Sequence, residues 1–90
     1  MRLDKYLKVS RIIKRRTVAN EACDAGRVLI NGKVAKAGTE VRVGDILEIH
    51  FGNSTVKVEV TQISENARKE AAAEMYRQLA VEKTSSGEQG

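Results

Sequence analysis

The chain is 90 residues long, with 16 Lys and Arg against 12 Asp and Glu, one histidine, one cysteine and no proline or tryptophan. That length holds one small domain with one modest core. The single cysteine rules out an internal disulfide and fits a reducing, cytoplasmic setting. No apolar run approaches the ~20 residues of a membrane span, and no signal-peptide hydrophobic region follows Met1. Tyr6, Phe51 and Tyr76 are the only aromatic residues, too few for RNA recognition by stacking bases on an aromatic sheet.

The charge is not spread evenly. Residues 2–36 carry ten Lys and Arg (Arg2, Lys5, Lys8, Arg11, Lys14, Arg15, Arg16, Arg27, Lys33 and Lys36) against Asp4, Glu21 and Asp24, whereas the remainder carries six against nine. So local an excess points to a polyanionic partner meeting one face of the fold.

In chain order, Leu3, Tyr6 and Leu7 fall at i, i+3 and i+4 and predict a first helix over residues 3–8. Lys5 and Lys8 fall on its other side, with Arg2 on the flank and Asp4 read as a surface ion-pair partner of Lys5 and Lys8. A short basic connection follows over residues 9–16, anchored by Ile12 and Ile13. Thr17 is the expected N-cap of a second helix over residues 18–25, without a strict capping box because Asn20 stands three residues on. The free N–H groups near Thr17, Val18 and Ala19 admit either a phosphate site or an ordinary capped helix. The small stripe Val18, Ala22 and Ala25 predicts close approach to a neighbour, and Gly26 suits the helix end.

Strand signals begin at Val28–Ile30. Asn31-Gly32 is a strong two-residue hairpin signal, since both positions tolerate positive φ. Lys33 and Val34 return, and Lys36 to Thr39 forms a loop containing Gly38. Gly44-Asp45 turns the chain. Leu47, Ile49 and Phe51 then alternate with Glu48 and His50, Gly52 to Ser54 turns again, and Val56, Val58 and Val60 alternate with Lys57 and Glu59. This predicts an antiparallel hairpin with one apolar face and an outward His50. Over residues 67–81 the period turns helical, with Ala72, Met75, Tyr76 and Leu79 as the apolar stripe. Residues 84–90 read as a frayed, disordered tail.

The expected architecture is α+β: two short helices on a small, mostly antiparallel sheet, plus a C-terminal helix. The division is a nucleic-acid-binding domain with its added hairpin over residues 1–62, a packed helix within 63–83 and the tail. Catalysis finds little support. One His and one Cys cannot build a structural zinc site, Cys23 reads as a buried thiol, and neither a phosphate loop nor a nucleophile elbow is present. No metal, cofactor or catalytic residue is therefore expected.

The run Arg2-Leu3-Asp4-Lys5-Tyr6-Leu7, followed by Ser10-Arg11, Arg15-Arg16-Thr17, Gly26-Arg27-Val28, Ile30-Asn31-Gly32-Lys33 and Val43-Gly44-Asp45, resembles the RNA-binding domain named after small-subunit ribosomal protein four, also called the alpha-L motif. The resemblance covers residues 1–49. Within that superfamily the chain is similar to small stand-alone bacterial members: the heat-shock protein fifteen group and, more nearly, the ribosome-quality-control group typified by RqcP. The motif begins at residue 2, Lys8-Val9-Ser10-Arg11 and Lys14-Arg15-Arg16-Thr17 match that group's pattern, and the expected final helix lacks the long basic extension of the heat-shock group.

The resemblance implies a factor that binds large ribosomal subunits carrying a stalled peptidyl-tRNA. Its contacts would be large-subunit rRNA and the tRNA, and with a partner, RqcH, it would support C-terminal alanine tailing of the nascent chain. The RNA-contacting residues expected from charge and motif together are Arg2, Lys5, Lys8, Arg11, Lys14, Arg15, Arg16, Lys33 and Lys36. Arg2 and Arg16 lead, because an arginine fork can hold a phosphate with two N–H bonds. Recognition would be by shape and backbone rather than by base reading, by a monomer without enzymatic activity. Two alternatives stay open: a heat-shock-fifteen-like rescue role without tailing, and a protein-interaction adaptor whose basic face meets an acidic protein.

Overall fold

The Leu3, Tyr6 and Leu7 stripe folds as read: helix α1 (Leu3–Val9) buries all three completely. The computed structural model describes residues 1–65 and 68–83. Helix α2 (Arg16–Asp24) crosses against α1 and inserts Ala19 and Cys23 into the core. Strands β1 (Val28–Ile30), β2 (Lys33–Val34), β3 (Ile46–Phe51) and β4 (Ser54–Val60) lead to a one-turn helix α3 (Lys69–Ala72) and strand β5 (Tyr76–Lys83). The sheet runs β2-β1-β3-β4-β5, every neighbouring pair antiparallel. One face of it, through Val28, Leu47, Ile49, Val58 and Val60, meets α1 and α2 around Tyr6.

The two hairpins follow their turn chemistry. Asn31 and Gly32 take φ of 52° and 87°, the two positive values a type I′ turn needs, and set Ile30 opposite Lys33. Asn31 does more than turn: its Oδ1 accepts from the Ile46 N–H at 3.0 Å and its Nδ2 donates to Asp45 Oδ1 at 3.1 Å, fastening this tip to the start of β3. At the end of α2, the N–H groups of Gly26 and Arg27 donate to the carbonyls of Cys23 and Ala22, the paired bonds of a Schellman motif with Gly26 at φ 76°.

The expected helix over residues 67–81 is not what the chain forms. Helix α3 lasts one turn, and Tyr76–Lys83 becomes β5, paired with β4 from Val60↔Tyr76 to Ser54↔Lys83. Helix preference in such a segment is worth only tenths of a kcal/mol per residue, and short helices are marginal alone. The unpaired backbone along β4 offers a full ladder of hydrogen bonds instead. A register shift between Lys57 and Val58 accommodates Leu79 as an extra residue. Ala72 and Met75 of the expected apolar stripe are still buried, the latter at the bend between α3 and β5. The Tyr6 hydroxyl donates to the Met75 carbonyl at 2.7 Å, so this bend is tied to α1 through the core. The expected disordered tail lies outside the described residues.

Two expectations for α2 also change. The helix begins at Arg16, with extended Arg15 as N-cap and no side-chain cap, so Thr17 lies within the first turn. Of the stripe Val18, Ala22 and Ala25 only Ala22 packs partly against the core: Val18 is 46% exposed, and the three line an open cleft with Glu21 and Arg27. Ala19 and Cys23 have the same i, i+4 spacing and similar size, so apolarity alone cannot choose between the faces. The polar contacts made by Arg16 and Asn20 choose.

Candidate nucleic-acid interface

Those contacts converge on Asp4. Its Cα lies in the first turn of α1, where side chains lean toward the helix N-terminus, and its carboxylate is buried. Oδ1 accepts from the Lys5 N–H at 2.7 Å and from Arg2 Nε at 3.2 Å. Oδ2 accepts from Arg2 Nη2 and from Asn20 Nδ2, both at 3.4 Å, and stands 3.5 Å from Arg16 Nε. Burial pushes this carboxyl's pKa up. The bonds from Arg2 and Asn20, the charge of Arg16 and the Lys5 N–H outweigh it, so the group is held below its ordinary value.

Asp4 is therefore not the surface partner of Lys5 and Lys8 that the sequence suggests. It is a buried anion that collects two arginines from different elements. Lys5 is taken instead by Glu65, which its ammonium contacts directly.

The two arginines keep their heads at the surface. Their side chains are 56% and 50% exposed while the carboxylate holding them is 3% exposed. Arg2 also rests over Gly38, with its Cζ 3.9 Å from where a Cβ would stand. The segment before α1 is fixed against residues 37–41 by bonds from the Leu3 N–H to the Thr39 carbonyl, the Asp4 N–H to the Ala37 carbonyl and the Val41 N–H to the Met1 carbonyl. The Lys36 turn is closed by its own N–H on Thr39 Oγ1 and the Thr39 N–H on its carbonyl, each at 3.0 Å. Arg2, Arg16 and the Lys36 turn thus form one framework, with Nε and Nη2 of Arg2 and Nε of Arg16 turned in to Asp4, the rest of each side chain half exposed and the rotamers restrained from below.

The connection between α1 and α2 supplies the next group. Lys8, Arg11, Lys14 and Arg15 are all exposed, and Ile13 is buried beneath them. Arg11, the residue after the α1 C-cap Ser10, has φ 65°, a left-handed conformation ordinarily given to glycine or asparagine. Its N–H donates to the Lys8 carbonyl, and the Ile13 N–H returns to Leu7. Lys33 is exposed at the hairpin tip, the opposite end of β1–β2 from Lys36. The Ala19 N–H already donates to Arg15, so the N–H groups ahead of the first helical bond are those of residues 16–18, beside Arg16. Sequence reasoning missed Asp4 and Asn20 as the anchors of this face. The detectable signal is a lone acid between Arg2 and Lys5 in the most basic part of the chain.

The second chemical cluster lies on the sheet face away from the helices. His50 points outward as its alternation predicts but is held there, with Nε2 2.9 Å from Glu48 Oε2 and Nδ1 3.1 Å from Thr55 Oγ1. Cys23 is buried, and its thiol is pushed up to about 11, by burial first and then by the charges of Asp4 and Asp24. Among the described residues no group of acidic, His and Cys side chains could hold a metal ion, and no helix is long and apolar enough to cross a membrane.

Comparison with known proteins matches the S4 domain family over residues 1–47. The chain is 59% identical to the RQC P-site tRNA stabilizing factor of Halalkalibacterium halodurans over 84% of this chain and 86% of that protein. It is 53% identical to the Bacillus subtilis protein of the same name, over 92% and 96%. The solved structure of heat shock protein 15 from Vibrio cholerae superposes with a TM-score of 0.81 at 31% identity, covering 89% of this chain and 82% of that one. Every residue of the candidate interface falls within the matched region, and the chain belongs to the S4 domain family.

Proposed function

We propose that this chain is a non-enzymatic RNA-binding factor of ribosome-associated quality control. It acts in the cytoplasm as a monomer on large ribosomal subunits that retain a stalled peptidyl-tRNA. It holds the tRNA and adjacent large-subunit rRNA through the Arg2, Arg16 and Lys36 framework, with Lys8, Arg11, Lys14 and Arg15 on the flanking connection, Lys5 beside it and Lys33 at the hairpin tip. With RqcH it supports C-terminal alanine tailing of the nascent chain. The observation carrying this reading is the buried Asp4 carboxylate presenting two half-exposed arginines side by side. The names of the relatives, which couple quality control to a P-site tRNA, support the setting.

The test is sedimentation of the tagged protein with large subunits from stalled complexes. The wild-type chain co-migrates with subunits carrying peptidyl-tRNA, and the Arg2→Ala/Arg16→Ala variant stays near the top of the gradient. Each neutralised phosphate adds about −0.7 to −0.9 to the log–log salt slope of binding. Co-migration that survives RNase treatment and ignores salt would favour a protein partner instead. The structural likeness to heat shock protein 15 favours a second reading, rescue without tailing. Loss of alanine tails on deletion of the gene separates the two.

A further inference from the structure

Between the arginine framework and the outer ridge of α2 lies a cleft of about 370 Å³, lined by Asp4, Arg16, Thr17, Asn20 and Glu21. The volume falls in the lower range of small-ligand sites. Residues 16 and 20 flank the packed side of α2, while 17 and 21 stand one step outward, as the helical period requires. The floor is fully engaged, because Asp4 spends its oxygens on Arg2, Arg16, Asn20 and the Lys5 N–H. Glu21 is different. It is exposed, and among the described residues its carboxylate has neither an ion-pair nor a hydrogen-bond partner. It also borders the neighbouring cleft formed with Val18, Ala22, Ala25 and Arg27.

A free acid in the most cationic part of the chain works against phosphate. On RNA it can only accept, and the donors RNA offers are base N–H groups and the ribose 2′-hydroxyl. Guanine presents two adjacent donors on its Watson–Crick edge, N1–H and N2–H, which match the two oxygens of one carboxylate. We infer that this cleft takes a single unpaired guanine nucleotide, its phosphate on Arg16, its donor edge on Glu21, and Thr17 and Asn20 along its side. This rests on the RNA-binding function proposed above and adds base selection to a face otherwise suited to backbone contacts.

The probe is a fluorescent hairpin RNA with one unpaired loop nucleotide, made in versions that differ only there: guanosine, inosine (which lacks the N2 amino group), adenosine and 2′-deoxyguanosine. The wild-type chain binds the guanosine hairpin about tenfold more tightly than the inosine or adenosine versions, within the range of one bidentate base contact. Glu21→Gln keeps binding all four but loses that preference, and Arg2→Ala/Arg16→Ala weakens all four alike. A guanosine-to-inosine ratio equal in wild type and Glu21→Gln would overturn the inference, as would uniformly tighter binding by Glu21→Gln. A Glu21-dependent preference that responds to the deoxyribose and not to inosine would overturn the guanine assignment. Binding of none of the hairpins by the wild-type chain, even at low salt, would remove both the inference and the RNA-binding function beneath it.

Discussion

Arg11→Gly separates what the fold prefers from what the basic face requires. Arg11 holds φ 65° one residue past the α1 C-cap Ser10, with its N–H closing the turn on the Lys8 carbonyl. A left-handed residue with a Cβ costs roughly 1–2 kcal/mol. Glycine removes that cost but gives back roughly 0.5–1 kcal/mol through the greater freedom of its unfolded chain. The net gain is about 0.5–1 kcal/mol, which for a domain of this size raises Tm by about 2–8 °C. The same substitution deletes an exposed guanidinium from the connection between α1 and α2. Loss of one phosphate contact lowers the magnitude of the log–log salt slope by about 0.7–0.9 and weakens RNA binding by about tenfold. Thermal unfolding followed by circular dichroism reads the first effect, and filter binding to large-subunit RNA across a salt series reads the second. A variant no more stable than wild type would mean that the Arg11 side chain contributes to the fold. Unchanged affinity and salt slope would take Arg11 out of the interface.

Tyr6→Phe removes the bond to the Met75 carbonyl, which still accepts from the N–H groups of Thr61 and Gln62. The loss is therefore close to one ordinary bond, about 1 kcal/mol and about 4–8 °C in Tm, with RNA binding at 25 °C unchanged in the same filter assay. Asp4 has a lowered pKa, so its stabilisation is complete above the ordinary carboxylate range near 4 and is lost as pH falls through its lower folded value. Urea midpoints of the wild-type chain and Asp4→Asn, measured from neutral to acidic pH, should converge there. Cys23, raised to about 11 and buried, favours the folded state below the ordinary thiol pKa and loses that contribution as pH rises toward 11. At neutral pH its maleimide labelling should be at least about 100-fold slower in the native protein than in urea.

Where one interaction dominated a segment, the sequence was readable. Leu3, Tyr6 and Leu7 define α1 because no other spacing buries all three, and Asn31-Gly32 fixes its hairpin through backbone conformation alone. The β3–β4 pair declared itself by strict alternation. Reading failed where two local solutions were nearly equal. Residues 67–81 read as a helical period, yet Tyr76–Lys83 settles on the open edge of β4, an edge that exists only after the sheet forms. On α2, Val18/Ala22/Ala25 and Ala19/Cys23 are comparable stripes, and the choice between them goes with the Arg16 and Asn20 contacts to Asp4. The candidate site shows the same division. Its cations stand out by charge density, but the carboxylate that assembles them is one of three acids among ten bases, and its role comes from a crossing of helices that charge counting does not contain.

The measurement that bears most directly on the central claim is the affinity of Asp4→Asn for large ribosomal subunits carrying peptidyl-tRNA, beside the wild-type chain. It is made well below the variant's Tm, with circular dichroism confirming the fold. Charge alone says that deleting an anion from a basic face strengthens its grip on RNA. If Asp4 acts by holding Arg2 and Arg16 in place, its amide replacement releases both guanidinium groups and binding weakens, by about tenfold. A folded Asp4→Asn protein that binds as tightly as wild type, or more tightly, would contradict the account.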